Sequence, residues 1–349
     1  MNMYLCSTLR HFLFALLKSL YDEGQQGRII VITDQQSLDP NCFDLSVLPS
    51  TISVKFVGRK QILDSVYDGR LGLVHKLFAT ANISSNFFRK RTLKKLNEYG
   101  LLNSKHDLEG ASLYLFNDRN RLARLMRLAF TEYEVIEDGL SNYTGSELSF
   151  IERYVLNKKG RRFIGDDERC NAIHLLTPKL AAHQLSSKVK LIKFISSINV
   201  NSFIYPLFKV DKSEVSIPEV IIATQPISMA NMNESKIDIA VYQKMVDYLK
   251  LKNHSYAFKV HPRENEMKYI EAFPDAHFIE SKTPLELLVF SSSESPTVLS
   301  IYSSAGMGFE GYCERATLIK DDEAEQQAEI YGQWRKNLVD VDKRLEAIL

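Results

Sequence analysis

The chain has 349 residues, 45% hydrophobic and 25% charged, with few Gly and Pro, so it can bury a sizeable core and the prior is two domains rather than disorder. Lys and Arg number 44 against 43 Asp and Glu, so no global field favours nucleic acid or an acidic polymer, and any anion site must be local. The four cysteines, Cys6, Cys42, Cys170 and Cys313, are scattered without a CxxC or Cys/His cluster, so they indicate neither a disulfide framework nor a zinc site, and a reducing compartment is expected.

Met3 to Cys6 reads as a first strand and Leu9 to Tyr21 as the helix after it. Arg10 and His11 precede the apolar run Phe12 to Leu17, which faintly resembles a signal peptide. Lys18 ends that run, no small-residue cleavage site follows, and it falls short of the ~20 residues a membrane span needs. Arg28 to Thr33 is β-branched and apolar through its centre, as in a strand buried on both faces of a parallel sheet. Ile52 to Phe56, Ala111 to Phe116 and Glu132 to Ile136 are further strands. Asn120 to Phe130 is a helix with Leu122, Leu125, Met126 and Ala129 on one face.

From Ser141 to about Ser213 the pattern loosens around the basic run Lys158-Lys159-Gly160-Arg161-Arg162. This reads as a connection between domains, or as a contact for anionic lipid headgroups. The alternation then resumes. Strands are expected at Val220 to Ala223, Tyr256 to Val260, Thr297 to Ile301 and Ala316 to Ile319. Helices are expected at Ile239 to Leu251, Glu264 to Ala272, Pro284 to Phe290, Ala305 to about Tyr312, and over most of Asp322 to Leu349. The βαβ rhythm of both halves implies an α/β protein with two doubly wound, Rossmann-like domains facing a central cleft. The expected division is 1–155, a connecting segment 156–213 that could contact a second copy or a membrane, and 214–349.

Three short signals fall where strands end, which is where open parallel sheets bind ligands. Glu137-Asp138-Gly139 places carboxylates beside a flexible backbone, where one could take a proton from a hydroxyl; a plain turn is the bland alternative. His261-Pro262 sets an imidazole, able to donate to a leaving phosphate, ahead of a helix start at Glu264. The other seven histidines show no comparable strand-end setting. Ser303-Ser304, followed by Ala305-Gly306, offers two hydroxyls and the first amides of a helix to a phosphate, although Ser304 would serve equally as a plain helix cap.

Taken jointly, these motifs resemble the acidic-acidic-glycine, His-Pro and Ser-Ser motifs of bacterial sialyltransferases. The opening MYLCSTL and the stretch Phe163 to Leu180 are most similar to glycosyltransferase family 52, the lipooligosaccharide sialyltransferases. The resemblance implies a GT-B-type fold, CMP-N-acetylneuraminic acid as donor, a terminal galactoside of lipooligosaccharide or a related glycan as acceptor, inversion at the anomeric carbon, and no required metal or other cofactor. It assigns the general base to Glu137 or Asp138, with Glu137 preferred, and the role of general acid or electrostatic partner to His261. Phosphate binding goes to Ser303 and Ser304 with the Ala305 amide. Glu286, in the helix start Pro284-Leu285-Glu286, takes the position that holds the ribose hydroxyls, where a helix-dipole role is an equal alternative. Asp238, a little over twenty residues before His261, is a second candidate base or else a first-turn helix charge. A cytoplasmic enzyme is expected; the acceptor class of the family suggests peripheral contact with the inner membrane, and the loosely patterned residues 141–213 could exchange elements between the subunits of a homodimer. Another donor (CMP-Kdo, another CMP-nonulosonate, a UDP-hexose) and a non-catalytic protein of the same fold stay open.

Overall fold

The computed structural model describes residues 1–36, 38–83, 85–102, 110–148, 153–154, 159–210, 217–226, 237–261, 263–280, 283–291 and 295–349. It divides into two units, Met1–Lys209 and Val210–Leu349. Pro262 and Lys158 lie outside the described residues.

The first unit is built on strands β1 (Asn2–Cys6), β2 (Gly27–Ile32), β3 (Ile52–Val57), β4 (Ser112–Leu115) and β5 (Tyr133–Ile136). A small antiparallel pair follows, β6 (Ser146–Glu147) with β7 (Arg161–Arg162), and then β8 (Cys170–Leu175) and β9 (Val189–Leu191). The main sheet is parallel throughout, in the order β3-β2-β1-β4-β5-β8-β9. Three of the crossovers are helical, with α1 (Leu9–Tyr21) between β1 and β2, α2 (Arg59–Val66), α3 (Gly69–Ala81) and α4 (Asn86–Glu98) between β3 and β4, and α5 (Arg121–Ala129) between β4 and β5. Helix α1 starts at Leu9 because the Thr8 hydroxyl accepts the His11 N–H as an N-cap. Its residues Phe12 to Leu17 are all buried, so the run that resembled a signal sequence is a core helix.

The second unit carries β10 (Val220–Ala223), β11 (Tyr256–Lys259), β12 (His277–Ile279), β13 (Thr297–Ser300) and β14 (Glu314–Thr317), parallel in the order β12-β11-β10-β13-β14. Its helices are α6 (Ile237–Leu251), α7 (Glu266–Ala272), α8 (Leu285–Ser291), α9 (Gln327–Trp334) and α10 (Val339–Ile348). Ile222, Phe258 and Leu299 from the sheet pack with Tyr242, Met245 and Leu249 of α6 and with Trp334 of α9.

Both sheets therefore repeat one strand order, third-second-first-fourth-fifth, although the sequence shows no internal repeat. In each, strand order reverses between the first and fourth strands, which opens a crevice at their carboxyl ends. Two expectations need correction. The segment 156–213 is not a bare connection, because β8 and β9 extend the first sheet and the unit boundary falls after Lys209. Residues 305–312 form successive turns instead of a helix, since Gly306 (φ 77°) and Gly308 (φ 81°) adopt left-handed backbone that an α-helix cannot contain.

Candidate active site

At the carboxyl edge of the first sheet, β5 ends on Glu137 and Asp138, and their surroundings differ. Glu137 is fully buried. Its carboxylate accepts from Arg10 Nη2 (3.1 Å), from the Leu176 N–H (2.8 Å) and from the Tyr143 hydroxyl. The side chain thus ties the ends of β5 and β8 to α1, and no face of it reaches solvent. Asp138 keeps a side-chain exposure of 23%. Its Oδ1 lies 2.5 Å from His11 Nε2 and its Oδ2 accepts from Asn117 Nδ2 at 3.1 Å, while Asn142 Oδ1 receives the Asp138 N–H at 2.8 Å. Gly139 at φ 142° lets the chain turn away directly behind the carboxylate.

His11 fixes its own tautomer. The Ser7 N–H donates to Nδ1 (3.2 Å), so that nitrogen is an acceptor and the ring proton sits on Nε2, pointing at Asp138. The ring stacks on Phe116 at 4.3 Å between centroids and 7° between planes. Burial raises the Asp138 pKa, but the His11 and Asn117 donors and the Arg10 charge outweigh it and hold the carboxyl below its ordinary value. Asp138 is therefore an ionised, oriented and accessible carboxylate, whereas Glu137, the one favoured by resemblance, is a buried tie.

The edge of the second sheet presents donors. His261 follows β11, with its N–H bonded to the Thr224 hydroxyl at the end of β10 (2.9 Å) and its Nδ1 accepting the Arg263 N–H (3.1 Å). Nε2 again carries the proton, and among the described residues it has no partner. Burial lowers the pKa to about 4, assisted by the charges of Arg263 and Lys259, so the ring is neutral at pH 7. The loop is braced through Thr224, which donates to Glu264 (2.6 Å), and Glu264 also accepts from the Tyr269 hydroxyl (2.6 Å). The Glu264 N–H bonds back to the His261 carbonyl (2.9 Å) and α7 begins only at Glu266, so the helix amides expected at Glu264 are not on offer.

On the far side of β10, Gln225 accepts the Tyr302 N–H at 2.7 Å and so joins the Ser303-Ser304 loop to the same edge. With β10 between β11 and β13, the backbones of His261 and Ser303 stand two strand spacings apart, roughly 10 Å. The Ala305 N–H is already taken by Ser303 Oγ (3.1 Å), which removes it from the expected cradle. Arg315 of β14 holds the Ser303 carbonyl through Nε and Nη2 (3.2 and 2.8 Å) and is itself neutralised by Asp321 (2.9 Å). Both serines are partly exposed, and their hydroxyl hydrogens are available to a ligand.

The remaining expected residues are more enclosed. Asp238, in the first turn of α6, is 5% exposed and is held by Lys268 and the Ile239 N–H (2.9 Å). Glu286 is 7% exposed in α8 and lies close enough to Lys259 to support its charge. Sequence reading missed Lys259, whose pKa burial lowers to about 8 and whose Nζ donates to the Glu280 carbonyl (2.5 Å). It also passed over Thr224, Gln225, Asn117 and His11. His11 contradicts the expectation that His261 alone among the histidines sits beside a strand end; the Ser-Thr pair directly after an apolar strand was the available signal. One open cavity of about 240 Å³, lined in part by Ser112, Thr131, Glu132 and Asn171, sits at the opposite end of β4 and β5, where parallel sheets do not bind their ligands.

Comparison with known proteins finds a match to the family model Glycosyltransferase family 52 over residues 68–311. No curated protein matches the chain. Among solved structures, it is similar to the α/β-galactoside α-2,3-sialyltransferase of Photobacterium phosphoreum (13% identity, 90% of this chain and 88% of that one, TM-score 0.47). It is also similar to the GT-B domain of the Photobacterium damselae sialyltransferase (14% identity, 87% of each chain, TM-score 0.47). A third is the UDP-GlcNAc 2-epimerase of Neisseria meningitidis (12% identity, 99% and 94%, TM-score 0.41). At such scores these likenesses carry no argument of their own. The family match takes in most of the chain and every motif from Glu137 to Ala305, and on that ground the protein belongs to glycosyltransferase family 52.

Proposed function

We propose that this glycosyltransferase is an inverting sialyltransferase, moving sialic acid from CMP-N-acetylneuraminic acid to a terminal galactoside of lipooligosaccharide or a related glycan. The observation that carries the reading is the donor edge of the second sheet: a neutral imidazole whose Nε2–H has no partner among the described residues at one strand end, and two available hydroxyls at the end of the next strand but one. Departure of CMP breaks the bond from the anomeric carbon to the phosphate oxygen, with both electrons going to the phosphate. Preorganised donors aimed at that oxygen lower the barrier, each by about 10²- to 10³-fold in rate where the geometry resembles an oxyanion hole. Being neutral, His261 acts first as a hydrogen-bond donor and gains basicity as negative charge grows beside it. The acceptor hydroxyl oxygen forms the new bond to the anomeric carbon and passes its proton to a carboxylate.

Asp138 is the carboxylate whose exposure and ionisation suit that step, with Asp238 as second candidate. Glu286 keeps the ribose-binding role that family membership suggests. The deciding experiment incubates purified protein with CMP-sialic acid and lactose, with EDTA present, and measures CMP and sialyllactose. Formation of both supports the reading. No product from CMP-sialic acid, together with turnover of a UDP-hexose or CMP-Kdo, would replace it with a different donor. Comparing Asp138→Asn with Asp238→Asn then identifies the base by which one slows transfer more.

A further inference from the structure

Helix α3 is anchored by only a narrow stripe, Gly72, His75 and Ala79. His75 stacks on Phe88 of α4 (4.8 Å) and bonds Thr92 (2.8 Å), and the Gly72 backbone lies so close to Tyr67 that a Cβ there would clash at 2.1 Å. Beside the exposed Arg70 and Lys76, the outward side of the helix carries large apolar side chains where a soluble amphipathic helix would be polar. Leu71 is 55% exposed, Leu73 63%, Val74 41% and Leu77 65%, and Ile83 (48%) and Phe87 (59%) continue the patch into the start of α4. Exposed apolar side chains grouped in this way mark a binding surface.

The charges around the patch say what kind. From Gly69 to Asn97 the sequence contains seven Lys and Arg (Arg70, Lys76, Arg89, Lys90, Arg91, Lys94 and Lys95) and no Asp or Glu, in a protein whose net charge is only +1. Arg70, Lys76, Lys90 and Lys94 are exposed, and among the described residues none of them is in an ion pair. The nearest carboxylates in sequence, Asp68 and Glu98, flank the stretch, and Glu98 is bonded by Lys95. Apolar residues set among unpaired cations suit a surface that is oily beneath and negative on top. A second copy of the same face would bring like charges together.

We propose that the α3–α4 face docks the enzyme on an anionic phospholipid surface, with Leu71, Leu73, Leu77 and Phe87 entering the headgroup region and the lysines contacting lipid phosphates. The proposal does not depend on which sugar is transferred.

The test is flotation of the full chain with phosphatidylcholine vesicles, with and without phosphatidylglycerol, at low and high salt. Binding at least tenfold stronger to the anionic vesicles and weakened by salt is expected. Leu73→Glu/Leu77→Glu and Lys90→Glu/Lys94→Glu, whose exposed positions leave thermal unfolding near that of the parent, should each lose it. Equal partitioning into both vesicle types would overturn the proposal, as would anionic binding that survives both double variants. Absence of vesicle binding, together with a concentration-dependent dimer that Leu73→Glu/Leu77→Glu dissociates, would reassign the face to self-association.

Discussion

The carboxyl edges of the two sheets share one topology and hold opposite chemistry. The first is anionic and largely internally satisfied: Glu137 spends its oxygens on Arg10, Leu176 and Tyr143, and Asp138 leans on His11 and Asn117. The second is uncharged at its working atoms, with His261 Nε2–H and the Ser303 and Ser304 hydroxyls braced from behind by Thr224, Glu264, Gln225 and Arg315. One strand order thus carries either a carboxylate edge or an edge of uncharged donors, and the choice rests on a few side chains after each strand. In both, a histidine has its Nδ1 filled by a backbone N–H four or two residues away, so that Nε2–H is the face presented. His11 spends that proton on a neighbouring carboxylate; His261 keeps it unpaired among the described residues.

The comparison breaks most visibly at His261. His261→Ala should reduce CMP release by about 10³-fold, more than any acidic substitution, and near-parental turnover would remove the donor edge from the mechanism. Asp138→Asn should cost about 10²-fold in transfer to acceptor, measured with sialyllactose as product, while slow donor hydrolysis persists. His11→Phe keeps the stacking on Phe116 but deletes the donor to Asp138. The Asp138 pKa should then rise and carry the acid limb of the kcat/KM profile upward, with the loss confined to acidic pH, and His11→Gln should restore much of it. An unmoved profile would show that His11 is merely structural. Glu137→Gln should leave turnover within a few-fold yet cost about 3 kcal/mol of stability, because it strips the charge from a buried pair with Arg10; a melting curve reads this directly.

The smallest effect concerns pH. His261 and His75 each have their folded pKa lowered by burial from 6.5 to about 4. Between those values the unfolded chain binds more protons than the native one, so stability is intact above pH 6.5 and declines as pH falls toward 4. The upper bound is about 3 kcal/mol per histidine. Thermal unfolding between pH 7 and 4 checks it, and His75→Asn should flatten part of the slope.

Much of this was legible in the linear pattern. Strands such as Val220–Ala223 and the helix Leu9–Tyr21 follow from apolar runs and period, and the motif residues do stand at strand ends. The helix expected after Ser304 does not form: Gly306, Gly308 and Gly311 disfavour it by composition, and the left-handed backbone at Gly306 and Gly308 turns the chain instead. Strands β8 and β9 lie in the stretch whose pattern loosens after Ser141, where no α-helix separates them to mark a βαβ unit. The apolar face of α3 escaped notice because its pattern looks like an ordinary buried helix until exposure is known.

By itself, the order of residues determined the alternation of strands and helices, the two-part parallel architecture and the chemical types available at each strand end, since these depend on local periodicity and composition. The tertiary structure decided which member of Glu137-Asp138 is accessible, which imidazole nitrogen is presented, and which apolar side chains meet solvent. The first and last of these are set by groups distant in sequence, such as Arg10 for Glu137, and the second by local backbone donors at Ser7 and Arg263; burial and hydrogen bonding exist only once the chain has folded.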